Sequence, residues 1–384
     1  MRHGQLPDLA GRHLGGGVVA ANDELFAERE NLIKPSAPTF SPRTFGHRGQ
    51  VYDGWETRRR REPGHDWAIV RLGAPGIIRE VEVDTSFFVG NYPPEISVEG
   101  AGIDGYPSAT EVQAANWLPL VPRSPAAGDI RNRYPVTVPD RMTHIRLCLY
   151  PDGGVARLRA YGEVVPDPRL LAAGEIDLAA LENGGAVAGC SNMFYSSPAN
   201  LISPGLASTM GDGWETARRR DGGHDWVEVT LAAPGVVRLA ELDTTHFVGN
   251  APGQATLSGR DARRTPPDGS ERWRELLPRS RLQPDTRHRF LLTGDQPEIT
   301  QARLDVFPDG GMARLRLFGR PTPEGWSGLA LRWFNRLPYH QAVAVLHEYG
   351  LSTTGAAAVL GNRPLGSISD LPVPLRASLA EPDR

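Results

Sequence analysis

Apolar and polar residues alternate along several short stretches of the chain. They are Trp67–Leu72, Ile77–Phe88, Thr143–Tyr150 and Val155–Tyr161, then Val227–Leu231, Val236–Phe247, Gln301–Phe307 and Met312–Phe318. Successive side chains of an extended chain point to opposite faces, so this spacing predicts strands with one face in a core and the other in water. The 43 Gly and 34 Pro among 384 residues are spread between these stretches rather than gathered in tracts, which predicts many turns. After Phe318 the pattern changes. Leu329–Leu337 and Tyr339–Tyr349 read as short helices, the second with Val343, Leu346 and His347 on one stripe and Gly350 as its stop. The expected fold class is all-β: two antiparallel β-sandwiches followed by a short helical C-terminal extension.

The strands come in two sets because the chain is duplicated. DGWETRRRREPGHDWAIVRLGAPG at Asp53–Gly76 returns as DGWETARRRDGGHDWVEVTLAAPG at Asp212–Gly235, an offset of 159 residues. VDTSFFVGN and LDTTHFVGN follow, ending at Asn91 and Asn250; PDGGVARLRAYG at Pro151–Gly162 then returns as PDGGMARLRLFG at Pro308–Gly319, offset by 157. These matches place one repeat at 14–165 and the other at 175–322, with Val165–Gly174 as linker and 326–384 as a separate tail. Two Rossmann halves are a poor fit, because no G-x-G-x-x-G follows a strand.

Charge narrows the partners. With 42 basic and 45 acidic residues the formal charge is -3, so no basic surplus invites nucleic acid. The opening residues Met1–His13 have no long apolar run, and no later stretch is apolar for the length of a membrane span. Cys148 and Cys190 lack the spacing of a disulfide framework or a thiolate metal site. A cytoplasmic protein is expected, with no membrane partner.

The candidate chemistry lies in the repeated polar loops. Asp53, Glu56, Arg59, Arg60, His65 and Asp66 fall within one short block; Asp212, Glu215, Arg218, Arg219, His224 and Asp225 repeat it. Carboxylates and imidazoles exchange protons, and a guanidinium holds a carboxylate through two parallel hydrogen bonds. Asp84-Thr85 and Asp243-Thr244 close strand-like runs, with Asn91 and Asn250 in the loops that follow; His246 stands where the first copy has Phe87. Each of these also has an ordinary structural reading: tryptophans as plugs, Asp as a turn cap, Asn in a left-handed turn, a histidine packed in the core. HExxH, an EF-hand loop, a P-loop and a G-x-S-x-G elbow are all missing from the sequence. No cofactor is called for, and a divalent metal assembled from distant His and Asp side chains stays open as an unknown. The residues alone point to a polar small-molecule site on the loops of a duplicated β-protein, either an enzyme or a lectin-like binding module.

Assembled in order, the motifs resemble the allantoicase family. The resemblance runs from LGGGVVAANDELFAERENLI at Leu14–Ile33 through DGWETRRRR and GHDWAIVRLGAPGIIREVEVDTSFFVGNYPP. It continues in ALENGGAVAGCSNMFYSSPANLI at Ala180–Ile202, DGWETARRR, LDTTHFVGNAPG, LLPRSRLQPD and FPDGGMARLRLFG. It implies hydrolysis of allantoate to ureidoglycolate and urea, a jelly-roll-like sandwich in each repeat and assembly into a homo-oligomer. In the tail, FNRLP at Phe334–Pro338 and RPLGSISDL at Arg363–Leu371 resemble the opening helices of the 2-oxo-4-hydroxy-4-carboxy-5-ureidoimidazoline decarboxylase family. The later catalytic histidine region of that family has no counterpart, so the tail is expected to be noncatalytic.

Carried over residue by residue, the allantoicase resemblance implies Asp84, Asp243, His65, His224, His246, Glu56 and Glu215 as catalytic. It implies Asp53, Arg59, Asp66, Thr85, Asn91, Asp212, Arg218, Asp225, Thr244 and Asn250 as substrate-binding. Allantoate carries a carboxylate and two ureido groups on one carbon, so losing urea requires a proton on the departing nitrogen and water at that carbon. The expected roles are a carboxylate clamp at Arg59 or Arg218, a base at Asp84 or Asp243, and proton transfer by His65, His224 or His246. The second copy departs from the first at Ala217 in place of Arg58, at Asn192-Met193 in place of Asp23-Glu24, and at Ala251 in place of Tyr92. If the Asp-Glu pair is required, activity is expected to be weakened or confined to a site that uses the first copy. The competing expectation is a noncatalytic carbohydrate- or small-anion-binding sandwich.

Overall fold

A computed structural model describes residues 6–47, 49–172, 174–264 and 272–379. The chain divides into two compact units. The first holds the described residues up to Val165 together with Trp333–Leu365; the second holds Pro166–Arg332 and the described residues from Gly366. The last five residues of the expected tail lie outside the described residues.

Each unit is built around one long strand. In the first, Asp66–Asp84 pairs through its leading half with Gly17–Ala21 and Arg141–Tyr150, and the latter carries Glu95–Ala101 and Leu118–Pro125 beyond it. The register breaks between Arg71 and Gly76, and the trailing half then pairs with Arg157–Val164 and Arg131–Pro135. One strand therefore serves both layers of an antiparallel sandwich, turning the corner at Leu72-Gly73-Ala74-Pro75. The second unit repeats the plan. Asp225–Asp243 pairs first with Ala186–Cys190 and Ile299–Phe307, then with Arg314–Pro321 and Arg287–Leu291.

The corner brings both ends of the long strand to the same loops. The Asp66 amide donates to the Pro151 carbonyl at 3.0 Å and the Ala156 amide to the Asp84 carbonyl at 2.7 Å. In the second unit Asp225 reaches Pro308 at 3.2 Å and Ala313 reaches Asp243 at 2.7 Å. Motifs remote in sequence thus share one end of each sandwich. Here the recurring PDGG has a physical reason. Gly153 and Gly310 have φ of 147° and 131°. A Cβ on Gly154 or Gly311 would lie 2.1 or 1.9 Å from the ring of Phe88 or Phe247, both fully buried.

The tail is helical at Pro323–Arg336, Tyr339–Glu348, Thr353–Gly361 and Val373–Ser378, two elements more than the apolar spacing predicts. Its second helix begins after Pro338 and ends before Gly350, which has φ 84°. The buried side chains of that helix are Gln341, Ala342, Val345 and Leu346, whereas His347 faces outward and its Nδ1 meets the Leu351 carbonyl at 2.8 Å. The tail contributes to both units. Gln341 Nε2 donates to Asp104 Oδ1 at 2.7 Å in the first, and Trp326 and Leu329 pack on Leu171 and Ala233 in the second. No helix among the described residues is long and apolar enough to cross a membrane.

The packing at the PDGG corner makes a stability prediction. Gly311→Ala forces a methyl group into the Phe247 ring and is expected to cost on the order of 1–3 kcal/mol or more. Gly17→Ala, where nothing lies within 4 Å, should change stability by less than about 0.5 kcal/mol. Urea denaturation of both variants checks this, and equal midpoints would mean that the corner yields without strain.

Candidate active site

A two-residue strand anchors each site. Trp55-Glu56 pairs with Gly154-Val155, and Trp214-Glu215 pairs with Gly311-Met312. The tryptophans are fully buried, and their indole N–H groups donate to the carbonyls of Asp23 and Asn192 at 2.8 Å in both copies. With the indole fixed inward, the neighbouring glutamate points along the loops. Asn91 Nδ2 donates to Glu56 Oε1 at 2.6 Å, and Asn250 Nδ2 donates to Glu215 Oε1 at 2.6 Å. Two motifs 35 residues apart meet here in the same way twice. Burial pushes the Glu56 carboxyl up, opposed by the Asn91 amide.

The Asp-Thr loop is bound inward. Asp84 Oδ1 accepts the Ser86 amide and hydroxyl at 2.9 and 2.5 Å; Asp243 Oδ1 does the same for Thr245 at 2.8 and 2.5 Å. Thr85 and Thr244 are fully buried. Thr85 Oγ1 donates to the carbonyls of Ala127 and Ile130, and Thr244 Oγ1 to those of Gln283 and Thr286. Both hydroxyls are thus spent on bracing the loop. The following residue takes a left-handed conformation in both copies, Phe87 at φ 69° and His246 at φ 72°, with its amide held by Asp129 or Asp285. Such a conformation is costly for a non-glycine residue, and the surrounding hydrogen bonds impose it whatever the side chain. It turns His246 Nε2 to the Ala207 carbonyl at 3.0 Å.

A second cluster forms beside this one. Arg60 Nη1 meets the buried Asp66 at 2.7 Å and Arg219 Nη1 meets Asp225 at 2.8 Å, with Asn22 and Ser191 on the same carboxylate oxygens. The arginines next in sequence, Arg59 and Arg218, are exposed and have no ion-pair or hydrogen-bond partner among the described residues. His65 lies tilted on Tyr150 with ring centroids 5.0 Å apart; burial and then Arg146 hold its imidazole below the ordinary range. His224 lies on Phe307 at 4.6 Å, and its Nε2 is 2.9 Å from Asp305 Oδ1. Among the described residues, no hydrogen bond or ion pair joins either histidine to Asp84, Asp243, Glu56 or Glu215.

The copies differ in charge as well as in outline. Arg58 Nε reaches Asp23 Oδ2 at 2.6 Å in the first. In the second, Asn192 Oδ1 accepts the Ala217 amide at 3.1 Å, so the turn is kept and the ion pair is lost. Asp53 accepts from Arg157 Nη2 at 2.7 Å and Lys34 Nζ at 3.1 Å, whereas the Asp212 carboxylate accepts the amides of Ser208 and Thr209 at 2.9 and 3.0 Å. Arg157, Arg314 and Asp305 escaped the reading of the sequence. PDGG-x-ARLR served there only as a mark of duplication, and a buried arginine on a strand carries no local signal. Both thiols are pushed up by burial, Cys148 to about 11. Among the described residues, no three His, Cys, Asp or Glu side chains converge as a metal site.

Tandem sandwiches with acids, amides, imidazoles and guanidinium groups gathered on the loops at one end of each define a duplicated β-protein whose two repeats carry matching polar loop clusters. The allantoicase repeat family matches residues 7–165 and 176–322. A probable allantoicase of Nocardia farcinica is 59% identical over 317 residues, covering 82% of this chain and 94% of the relative. The allantoicase of Dictyostelium discoideum is 43% identical over 318 residues, covering 81% and 86%. The crystal structure of allantoicase from Saccharomyces cerevisiae aligns with a TM-score of 0.70 at 36% identity, over 82% of this chain and 93% of that one. The chain belongs to the allantoicase family.

The Asp53 contacts predict an acid-sensitive component of stability. Burial raises its carboxyl, but Arg157, Lys34 and the Thr39 amide outweigh burial and bring it from 3.8 to about 2. A folded value below the unfolded one stabilises the fold above the unfolded value, and that contribution drains away as pH falls from about 4 through about 2. Asp53→Asn should therefore be less stable than wild type near neutral pH, and the gap should close over that interval. Urea midpoints measured across the interval test this; a gap that stays constant down to the lowest pH would contradict the linkage.

Proposed function

We infer that the protein is an allantoicase, an amidinohydrolase that converts allantoate and water to ureidoglycolate and urea in allantoin degradation. The observation carrying this is the match to the family over both repeats, which takes in the loops that form the Glu–Asn pairs.

The chemistry follows from the substrate. As the C–N bond to one ureido group breaks, the bonding pair goes to nitrogen, which needs a proton to leave as urea. The central carbon becomes iminium-like, stabilised by the remaining ureido nitrogen, and takes up water, which loses a proton and becomes the hydroxyl of ureidoglycolate. A carboxyl held in place by an amide and partly removed from water is suited to delivering the first proton, and Glu56 or Glu215 fills that role. Asp84 or Asp243 accepts the proton from water through Oδ2, Oδ1 being taken by the turn and Asp84 Oδ2 facing Arg131 Nε at 3.7 Å. His246 sits beside that loop as a second proton carrier in the second copy. Positive charge for the substrate carboxylate comes from guanidinium groups. Cytoplasmic residence and homo-oligomeric assembly, with allantoate rather than nucleic acid as partner, belong to the same reading.

Urea release from allantoate by purified protein tests the activity directly. Glu56→Gln and Glu215→Gln, made separately, should show which copy turns over: the active one is expected to lose on the order of 10² to 10⁴ in kcat. Tight binding of allantoate with no urea released would instead identify a binding protein.

A further inference from the structure

Arg157 and Arg314 hold equivalent places 157 residues apart, and they are 1% and 5% exposed. A buried guanidinium is costly unless its donors are used. Most of the fork is spent in the same way in both repeats. Nε donates to the carbonyl of Ser36 or Gly205 at 3.0 Å. Nη1 donates to the carbonyl of Asp53 or Asp212 at 2.8 or 2.7 Å, and to that of Ala156 or Ala313 at 2.7 Å.

They part at Nη2. In the first repeat it meets the Asp53 carboxylate at 2.7 Å, on which Lys34 also closes. In the second, the Asp212 carboxylate is turned to the amides of Ser208 and Thr209, Ser203 stands in place of Lys34, and Arg314 Nη2 has no partner among the described residues. Burial, and then the neighbouring Arg316, draws Arg314 below its ordinary range, against the pull of Asp212, Asp243 and Glu182. The difference begins in a loop. NLI to DGWET spans ten fewer residues in the second copy, the offset falling from 169 to 159, and the longer loop supplies the Thr39 amide that also holds Asp53.

We propose that Arg314 receives the carboxylate of the substrate, in the place that the first repeat fills with its own Asp53. The second repeat is then the one that turns over, and the first is closed by an internal mimic of the ligand. This rests on the hydrolase reading and names the residue and the copy. The surroundings fit a carboxylate bearing a ureido group on its α-carbon. Asn250, which holds Glu215, also reaches Met210 Sδ at 3.4 Å, and His246 Nε2 touches Ala207 in the same short loop that Arg314 binds through Gly205. Arg314, His246 and the Asn250 that holds Glu215 thus all contact the one short loop 205–210.

The probe is N-carbamoylglycine, which keeps the carboxylate and one ureido group and has no second ureido group to lose; its binding is followed by calorimetry. Wild type should bind one molecule per chain. Arg314→Gln should weaken binding on the order of 10²-fold, while the uncharged N-carbamoylglycinamide binds both proteins alike. Asp53→Ala, which uncovers Arg157, should raise the stoichiometry to two. A folded Arg314→Gln protein that binds the probe like wild type overturns the proposal, as does an Asp53→Ala protein that still binds only one. The second variant decides the matter even if Arg314→Gln does not fold. Arg314-dependent binding in a wild type that releases no urea from allantoate would sink the hydrolase reading and leave the carboxylate site standing.

Discussion

The contact on which each candidate site depends is the short pairing of the Trp-Glu dipeptide with the last glycine of PDGG and the residue that follows it. It seats an indole in the core, caps that indole with a loop carbonyl and leaves the next side chain no direction but along the loop end, where an asparagine meets it. The second glycine is required there because a Cβ would lie 2.1 or 1.9 Å from the phenylalanine ring packed against it. One close approach thus joins three motifs far apart in the chain. The long strand makes it reachable, since turning from one layer to the other returns its two ends to the same corner.

Around this shared frame the copies have drifted in their charges while keeping their backbone. Asn192 does for the Ala217 amide what Asp23 does for that of Arg58, so the turn survives the loss of a carboxylate. Residue 87 or 246 stays left-handed although one is phenylalanine and the other histidine. At the position of Cys148 in the first repeat, buried and poorly acidic, the second has Asp305 holding His224. Backbone hydrogen bonds in a loop hold shape under substitution, whereas ion pairs need two particular partners and are lost together. This is how a duplicated protein can keep two sandwiches and come to differ at two sites.

Much of the site was legible as composition and little of it as geometry. Glu56 and Asn91 could be named from the repeated blocks, but their meeting could not, because 35 residues of strand and corner lie between them. Thr85 and Thr244 resemble substrate ligands in sequence and prove to be inward braces, their hydroxyls taken by carbonyls from a distant loop. Asp66 and Asp225 are held by Arg60 and Arg219, while the adjacent Arg59 and Arg218 extend into solvent. Neighbours in a run of arginines differ only in the direction the backbone gives them, which sequence does not encode locally.

The duplication, the strand-rich body, the helical end and the family are written in the chain, because period-two alternation and long ordered motifs are local properties. Tertiary structure alone decided which charges are spent and which are free. Arg157 and Arg314 sit in the same motif with the same neighbours, yet one is neutralised by Asp53 and the other is not. The outcome depends on ten residues of loop that lie more than a hundred positions away and fold back over the arginine. Charge compensation in a buried site depends on distance in space, and only the folded chain sets that distance.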